Sequence, residues 1–301
     1  MSLKSICFFS SYYTGENIPK YVRFYLSELS RHFTEVLFLT NEKVLSADDL
    51  QFLSSHNISY RLYKNEGYDF GMWYKAFREC DIMKYDRVGL INDSSILFNK
   101  LDFYFDWLKK GEMDYCGMTD CKLITYHIQS YFIIINKKAI PLVLEYFKQH
   151  GIIADIKLLI RTYEIGLNTY LIQAGMKGAA YYSFKDDVSV LNPSLMKAKE
   201  LIKKGAPLIK KRILTRLYGD ASLRYMIGAG FDANPRNYIR LINKTRPEGN
   251  IYKLSSDIVV NWGWRKEVQF YSNVYFAELY FFIVHKMDGL KRNIKRILGR
   301  K

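Results

Sequence analysis

The first 190 residues alternate short apolar runs with segments of helical period, and that alternation leaves the chain few folds to choose from. SICFFS (5–10), EVLFLT (35–40), ISYRLYK (58–64) and DRVGLIN (86–92) read as strands. Between them, residues 17–32 put Tyr21, Tyr25 and Leu29 on one helical face, and residues 70–80 form another helix. Residues 46–55 read as a short helix with Ser46 as N-cap and Asp49 at the reciprocal position of a capping box. Consecutive parallel strands need a crossover, and a helix supplies it; strands spaced this way predict a mostly parallel sheet with helices on its faces. Past residue 100 the rhythm changes. A helix over 101–110 precedes short strands at 114–118 and 128–135, then helices near 137–148 and 164–174. Glu164 is expected at the start of the last helix, with Leu167, Leu171 and Ile172 toward the core, and Gly175 stops it before one more short strand.

Ligands of open α/β sheets bind outside the carboxyl ends of the strands. The polar tips there are Ser10-Ser11-Tyr12, Thr40-Asn41, Asn65-Glu66-Gly67 and Asn92-Asp93-Ser94, and all four are expected to line one crevice. No G-x-G-x-x-G follows the first strand and no G-x-x-x-x-G-K-[ST] occurs, so dinucleotide redox chemistry and P-loop phosphoryl transfer lose their usual support. No run of 18 apolar residues exists to span a membrane, and the apolar run near the start is too short for a signal peptide; a cytoplasmic protein is expected. The four cysteines, Cys7, Cys80, Cys116 and Cys121, are too scattered for a disulfide framework or a zinc site and read as reduced thiols.

The charge is uneven. Residues 1–195 carry 22 basic and 22 acidic residues, whereas residues 196–301 carry 23 and 8, so the last third holds the whole net charge of +15. A neutral body over 1–195 with a basic, mainly helical extension over 196–301 is the expected organisation. One basic cluster spans 196–219. The other, 289–301, sets Leu290, Ile294, Ile297 and Leu298 at helical spacing opposite Lys291, Arg292, Lys295, Arg296 and Arg300. A helix of that kind suits the headgroup layer of an anionic membrane, at about 1 kcal/mol per basic residue near the surface; the alternative is a solvated tail or an amphipathic helix packed on its own domain. No nucleic-acid-binding motif accompanies the charge, so nucleic acid is not the expected partner.

Three stretches carry the chemistry. NEGYDFGMWYKAF (65–77) flanks Asp69 with Gly67 and Gly71 where a strand turns into a helix, a place that favours phosphate. VGLINDSSILF (88–98) runs an apolar strand into the oxygen-bearing side chains of Asn92, Asp93 and Ser94, ligands of the kind a hard divalent cation uses, or an ordinary Asx turn. TYEIGLNTYLIQAGMKGAAYY (162–182) opens on Glu164, whose carboxylate a helix N-terminus would stabilise.

In this order the stretches resemble the GT-A fold of nucleotide-sugar-dependent glycosyltransferases, and within it the rhamnan synthesis F family of bacterial surface-polysaccharide assembly. The resemblance rests on NEGYDFGMW (65–73), YDRVGLINDSSI (85–96), GMTD (117–120), HIQSYFIIINKKA (127–139), YEIGLN (163–168) and NPSLMKAKELIKKGAPLIKK (192–211), and covers roughly residues 5–215. It implies a GT-A-like, mostly parallel sheet flanked by helices. It also implies an inverting transfer of a sugar, such as L-rhamnose or another deoxysugar or hexose, from a nucleotide-sugar donor to a lipid-linked glycan acceptor.

Carried over residue by residue, the resemblance gives donor binding to Ser10, Tyr12, Asn65, Gly67, Asp69, Asn92, Asp93 and Ser94. Glu164 becomes the general base, with Asp120 as the competing carboxylate, and His127 and Gln129 become acceptor or sugar contacts. The acidic triplet of the fold falls on Asn92-Asp93-Ser94, where only the middle position is acidic. Two ways of neutralising the diphosphate stay open: Mg²⁺ or Mn²⁺ on Asp93 with waters, or cationic side chains. The growing glycan implied sits on the inner face of the cell membrane, where the basic extension would hold the enzyme peripherally. The alternative is a non-catalytic scaffold, or a binder of anionic polymers that uses the basic tail.

Overall fold

The computed structural model describes residues 3–122, 124–187, 192–215, 231–232 and 235–245. The C-terminal amphipathic segment 289–301, with Leu290, Ile294, Ile297 and Leu298, lies outside them.

The alternation at the N-terminus becomes β1 (Ser5–Ser11), α1 (Lys20–Leu29), β2 (Glu35–Asn41), α2 (Ala47–Ser55), β3 (Ile58–Tyr63), α3 (Tyr68–Glu79) and β4 (Arg87–Asn92). These four strands are parallel in the order β3-β2-β1-β4. The chain then adds β5 (Ser95–Leu97), α4 (Asp102–Lys110), β6 (Tyr115–Cys121), β7 (His127–Ile128), β8 (Phe132–Asn136) and α5 (Ile140–His150). β8 inserts antiparallel between β4 and β6. A continuous helical stretch follows: α6 (Ile156–Leu159), a π-helical turn (Ile160–Gly166) and α7 (Leu167–Gln173). β9 (Gly178–Tyr182) pairs parallel with β6 and completes an eight-stranded sheet. After it come α8 (Pro193–Met196), α9 (Ala198–Lys203), β10 (Leu208–Lys210), α10 (Lys211–Thr215) and α11 (Pro235–Thr245). The result is an α/β architecture with the expected mostly parallel sheet flanked by helices.

Alternation within each strand sends successive side chains to opposite faces. Cys7 and Phe9 meet Tyr21, Tyr25 and Leu29 of α1 on one face, the face of α1 that its spacing predicted. Ile6 and Phe8 meet Phe70, Trp73 and Phe77 of α3 and Phe147 of α5 on the other. The described part of the basic segment belongs to this body: Leu201, Ile202, Leu208, Ile209, Ile213 and Leu214 are buried in the same core as α1. β10 pairs antiparallel with β5, Lys210 opposite Ser95. Much of the first basic cluster is therefore committed at home, with Lys197 against Asp187, Lys204 against Glu200 and Lys199 against Asp232.

Several local expectations change. Ser46 does cap α2 through the Asp49 amide (3.1 Å), but the Asp49 carboxylate does not return the bond; it accepts from the Ile18 amide (2.9 Å) and Arg23 (2.6 Å) and ties the β1–α1 loop to α2. Ile172 is 45 % exposed, while Leu167 and Leu171 are buried as expected. The helix read from residue 164 begins at Ile156, capped by the Asp155 carboxylate on the Leu158 amide (2.8 Å). It does end at Gly175, whose φ of +74° turns the chain back so that the Met176 amide donates to the Leu171 carbonyl (2.9 Å). All four cysteines are free thiols.

Candidate active site

The strand order reverses between β1 and β4, and the crevice of an open α/β sheet opens at such a switch. Ser10 and Ser11 end one of these strands and Asn92 ends the other, in register. The Asp93 amide donates to the Ser10 carbonyl (3.1 Å), which brings the Asp93 side chain back across the end of β1. There its Oδ2 accepts from Ser11 Oγ (3.0 Å), Tyr21 Oη (2.8 Å) and Lys211 Nζ (2.8 Å). Asn92 closes an Asx turn with its Oδ1 on the Ser94 amide (3.0 Å) and turns its Nδ2 onto Asp69 Oδ2.

Asp69 arrives from the opposite face of the sheet. The chain enters α3 through two left-handed residues, Gly67 (φ +72°) and Tyr68 (φ +55°), which fold the Glu66 carbonyl over Gly71. A Cβ at Gly71 would lie 1.7 Å from that carbonyl oxygen, and one at Gly67 would lie 2.7 Å from Ile152, so both glycines serve the turn itself. Asp69 then sits in the first turn with Oδ1 on the Phe70 amide (3.1 Å). Burial pushes its carboxyl up to about 6, against the Asn92 and Phe70 hydrogen bonds that favour the anion; the nearby Glu164 charge raises it further.

Glu164 reaches the same place because its neighbour packs on the neighbour of Asp69. The rings of Tyr163 and Phe70 stack at 4.9 Å, so the two flanking carboxylates are carried together. Glu164 lies within the π-helical turn rather than at a helix start. The freed backbone is satisfied by side chains: Tyr146 Oη donates to the Thr162 carbonyl (2.9 Å), and Asn168 Nδ2 donates to the Glu164 carbonyl (2.8 Å) while its Oδ1 holds the Ile128 amide (3.0 Å). π-turns of this kind are frequent at functional sites. The Glu164 carboxylate is partly exposed; Oε2 accepts from Ser130 Oγ (2.6 Å), and Oε1 is 3.7 Å from His127 Nε2. His127 Nδ1 faces the Thr125 carbonyl (3.0 Å) and so carries the hydrogen on that side.

The other sequence-derived residues sort by position. Asp120 is buried in β6 with Oδ2 accepting from Ser183 Oγ (2.7 Å) and Oδ1 from the Phe184 amide, a fastening between β6 and the chain after β9. Gln129 is likewise engaged: Oε1 accepts from Thr119 Oγ1 (2.7 Å) and the Ser194 amide (3.3 Å), and Nε2 donates to Asn192 (3.1 Å). Tyr12 and Asn65 are exposed at the rim. A recess of about 630 Å³ opens beside Asp93, sharing Tyr21 and Lys211 with it and lined further by Tyr13, Glu16, Pro19 and Arg23.

Three contributors escaped sequence reasoning: Ser130, Lys210 and Lys211. Lys210 Nζ donates to Ser94 Oγ (3.0 Å) and lies 4.0 Å from the centre of the Tyr131 ring. Burial brings its ammonium down to about 8, against the pull of Glu164 and Asp69. The triplet does not fit a divalent cation. Mg²⁺ and Mn²⁺ need several open oxygens, and here Asp93 Oδ2, Asn92 Oδ1 and Ser94 Oγ each accept a donor, two of them ammonium groups. Glu28, His32 and Asp102 do have metal-ligand spacing, but they lie at the far end of α1, where Glu28 already holds the Leu101 amide (2.8 Å) and Arg31 (2.7 Å). No helix among the described residues is long and apolar enough to cross a membrane.

No curated protein matches the chain in sequence. Among solved structures it is similar to the glycosyltransferase GlyE of Streptococcus pneumoniae, at 12 % identity and TM-score 0.40, over 81 % of this chain and 63 % of that one. It is also similar to a cytidylyltransferase from Leptospira borgpetersenii (12 %, TM-score 0.37, 87 % and 99 % covered) and to the 4-diphosphocytidyl-2C-methyl-D-erythritol synthase of Anaerococcus prevotii (10 %, 0.39, 60 % and 89 %). Likenesses this distant add nothing to the reading of the site. The sequence profile described as rhamnan synthesis protein F, by contrast, matches residues 36–231, nearly two thirds of the chain. That span takes in Asp69, the Asn92-Asp93-Ser94 turn, Ser130, Glu164 and both lysines, and the chain belongs to the rhamnan synthesis protein F family.

Proposed function

We propose that this enzyme builds a bacterial surface polysaccharide by inverting transfer of a sugar, with L-rhamnose or a related deoxysugar as the class of donor sugar. The observation that carries the reading is that Asp69, Glu164 and Lys210, from three distant parts of the chain, gather at one turn: Phe70 stacks on Tyr163 beside the two carboxylates, Asn92 holds Asp69, and Lys210 donates to Ser94 (3.0 Å). A hydroxyl cannot ionise by itself at neutral pH, so a carboxylate must take its proton as the new bond forms. Glu164 fits that part, being partly exposed and oriented by Ser130, whereas Asp120 has both oxygens engaged in the fold. The acceptor oxygen attacks the anomeric carbon from the Glu164 side and its proton passes to Glu164. The bond from that carbon to the diphosphate oxygen breaks on the opposite side, and its electron pair leaves with the nucleoside diphosphate. In this reading Asp69, fixed by Asn92, holds the sugar hydroxyls of the donor, and the volume of the recess beside Asp93 supports a nucleoside there.

The acceptor fits as a lipid-linked glycan at an anionic membrane surface, where the basic residues of 289–301 would raise the enzyme's effective concentration. A thermal-shift screen of nucleoside diphosphates and nucleotide sugars tests the reading, because a ligand that binds only the native state raises its melting temperature. A stabilising nucleotide sugar is the expected result. A chain that responds to none of them, while sedimenting with anionic polymers, is the non-catalytic binder instead.

A further inference from the structure

We infer that Lys210 receives the donor's diphosphate in place of a divalent cation, with Lys211 locking Asp93 out of metal binding. This rests on the donor-site reading above and deepens it. In the turn after β4 one side-chain oxygen of each residue, Asn92 Oδ1, Asp93 Oδ2 and Ser94 Oγ, already accepts a donor. Asp93 Oδ2 accepts from three donors at once, one of them the Lys211 ammonium. Ser94 Oγ takes Lys210, and Asn92 Oδ1 takes the backbone. A divalent ion entering here would have to displace one ammonium group and sit beside another.

The two lysines differ in what they have left to give. Lys211 is an ion-paired residue at the start of α10, and its charge is answered by Asp93 at 2.8 Å. Lys210 ends β10, and its partners are neutral, a hydroxyl and the Tyr131 ring; among the described residues no carboxylate lies within 4.0 Å of its Nζ. Its position is built rather than incidental. β10 pairs with β5 and sets Lys210 opposite Ser95, the Lys211 amide donates to the Ser94 carbonyl (2.9 Å), and Tyr131 beneath the ammonium is buried and held by Thr119 (2.9 Å). A cation fixed in a crowded cleft without a direct counter-ion is a preorganised site for an anion, and it would stabilise the charge that grows on a departing diphosphate. The neighbouring recess is lined by Lys211, the residue that follows Lys210, and offers a nucleoside a place beside the ammonium group.

The test is a titration of the full chain with thymidine diphosphate and uridine diphosphate, in EDTA and in Mn²⁺, for wild type, Lys210→Met and Lys210→Arg. Binding that persists in EDTA is expected. Lys210→Met should weaken it roughly tenfold or more, and Lys210→Arg should restore most of the loss. Thymidine and uridine, which carry no phosphate, should bind all three proteins alike. Diphosphate binding that vanishes in EDTA and returns with Mn²⁺ overturns the inference and leaves the donor site standing. Failure of both nucleotides to bind wild type under either condition overturns the donor-site reading as well. Geranyl diphosphate binding more tightly than either nucleotide assigns Lys210 to the acceptor lipid and overturns the inference. The EDTA arm uses wild type alone, so a poorly folding variant does not spare the inference.

Discussion

Replacing Asp93 by Ala should destabilise the fold before it touches any chemistry. Its Oδ2 is the common acceptor of Ser11, Tyr21 and Lys211, at 3.0, 2.8 and 2.8 Å, and these come from β1, α1 and α10. Truncation removes the acceptor that an ammonium and two hydroxyls share, and leaves Lys211 its weaker bond to Tyr21 Oη (3.1 Å). Breaking a fully buried ion pair costs about 3–5 kcal/mol. Asp93 is only 12 % exposed, but the Lys211 side chain is 28 % exposed and regains some water, so we expect about 2–3 kcal/mol. For a domain of this size that is a fall in melting temperature of about 5–10 °C. Lys211→Met should cost a similar amount, because it leaves the carboxylate facing two hydroxyls. The double variant should cost less than the two losses together, by about 1–2 kcal/mol. Urea denaturation of wild type, both single variants and the double variant gives the cycle. Asp93→Ala should also weaken nucleoside diphosphate binding, since the turn bearing Asn92 and Ser94 loses its anchor. Single losses under about 0.5 kcal/mol that simply add would refute the claim that one acceptor fastens three elements.

Four further outcomes follow from other parts of the molecule. Glu164→Gln should lower turnover by about 10²–10⁴-fold while nucleoside diphosphate affinity stays near wild type, as read by product formation and calorimetry; equal loss of both would mean that Glu164 only shapes the site. Gly71→Ala, whose Cβ would meet the Glu66 carbonyl oxygen at 1.7 Å, should cost at least about 2 kcal/mol in urea denaturation and disorder the turn before α3. Glu28 is held down to about 2, since hydrogen bonds from His32, the Leu101 amide and Arg31 outweigh the larger single effect of its burial. Its folded value lies below its unfolded one, so its contribution of about 2–3 kcal/mol is present above pH 4.5 and lost as pH falls toward 2; Glu28→Gln should flatten that limb of the stability profile. Deleting residues 285–301 should abolish sedimentation with phosphatidylserine vesicles at low salt if the basic extension is the membrane contact.

What the sequence made legible was whatever obeys a local period. The parallel order of β1 to β4 follows from the spacing of four apolar runs, and the buried face of α1 follows from Tyr21, Tyr25 and Leu29. Gly175 announced the end of α7. The π-turn was hidden because it has no period of its own: its extra residue is absorbed by Asn168 and by the Tyr146 hydroxyl, partners in α7 and α5 that no local pattern connects to Glu164. Asp155, a carboxylate just ahead of IKLLIRTYE, was the available sign that the helix begins earlier.

The lysines were hidden for the opposite reason, since they stood in plain sight within a run of charge. Counting 196–219 as one basic cluster treats its members as interchangeable, and β10 makes them unlike. Pro207, Leu208 and Ile209 form a short apolar run, and the pairing of β10 with β5 carries the residues at its end across 118 positions to Asp93. Lys210 and Lys211 leave the cluster for separate partners, Ser94 Oγ for one and the Asp93 carboxylate for the other. At the end of β4 the chain carries one carboxylate, and two ammonium groups reach that turn from the end of β10 and the start of α10. With the Lys211 charge answered by Asp93, Lys210 is left as the proposed cation for the departing diphosphate, and Lys210→Met should lower donor affinity whether or not a divalent ion is added.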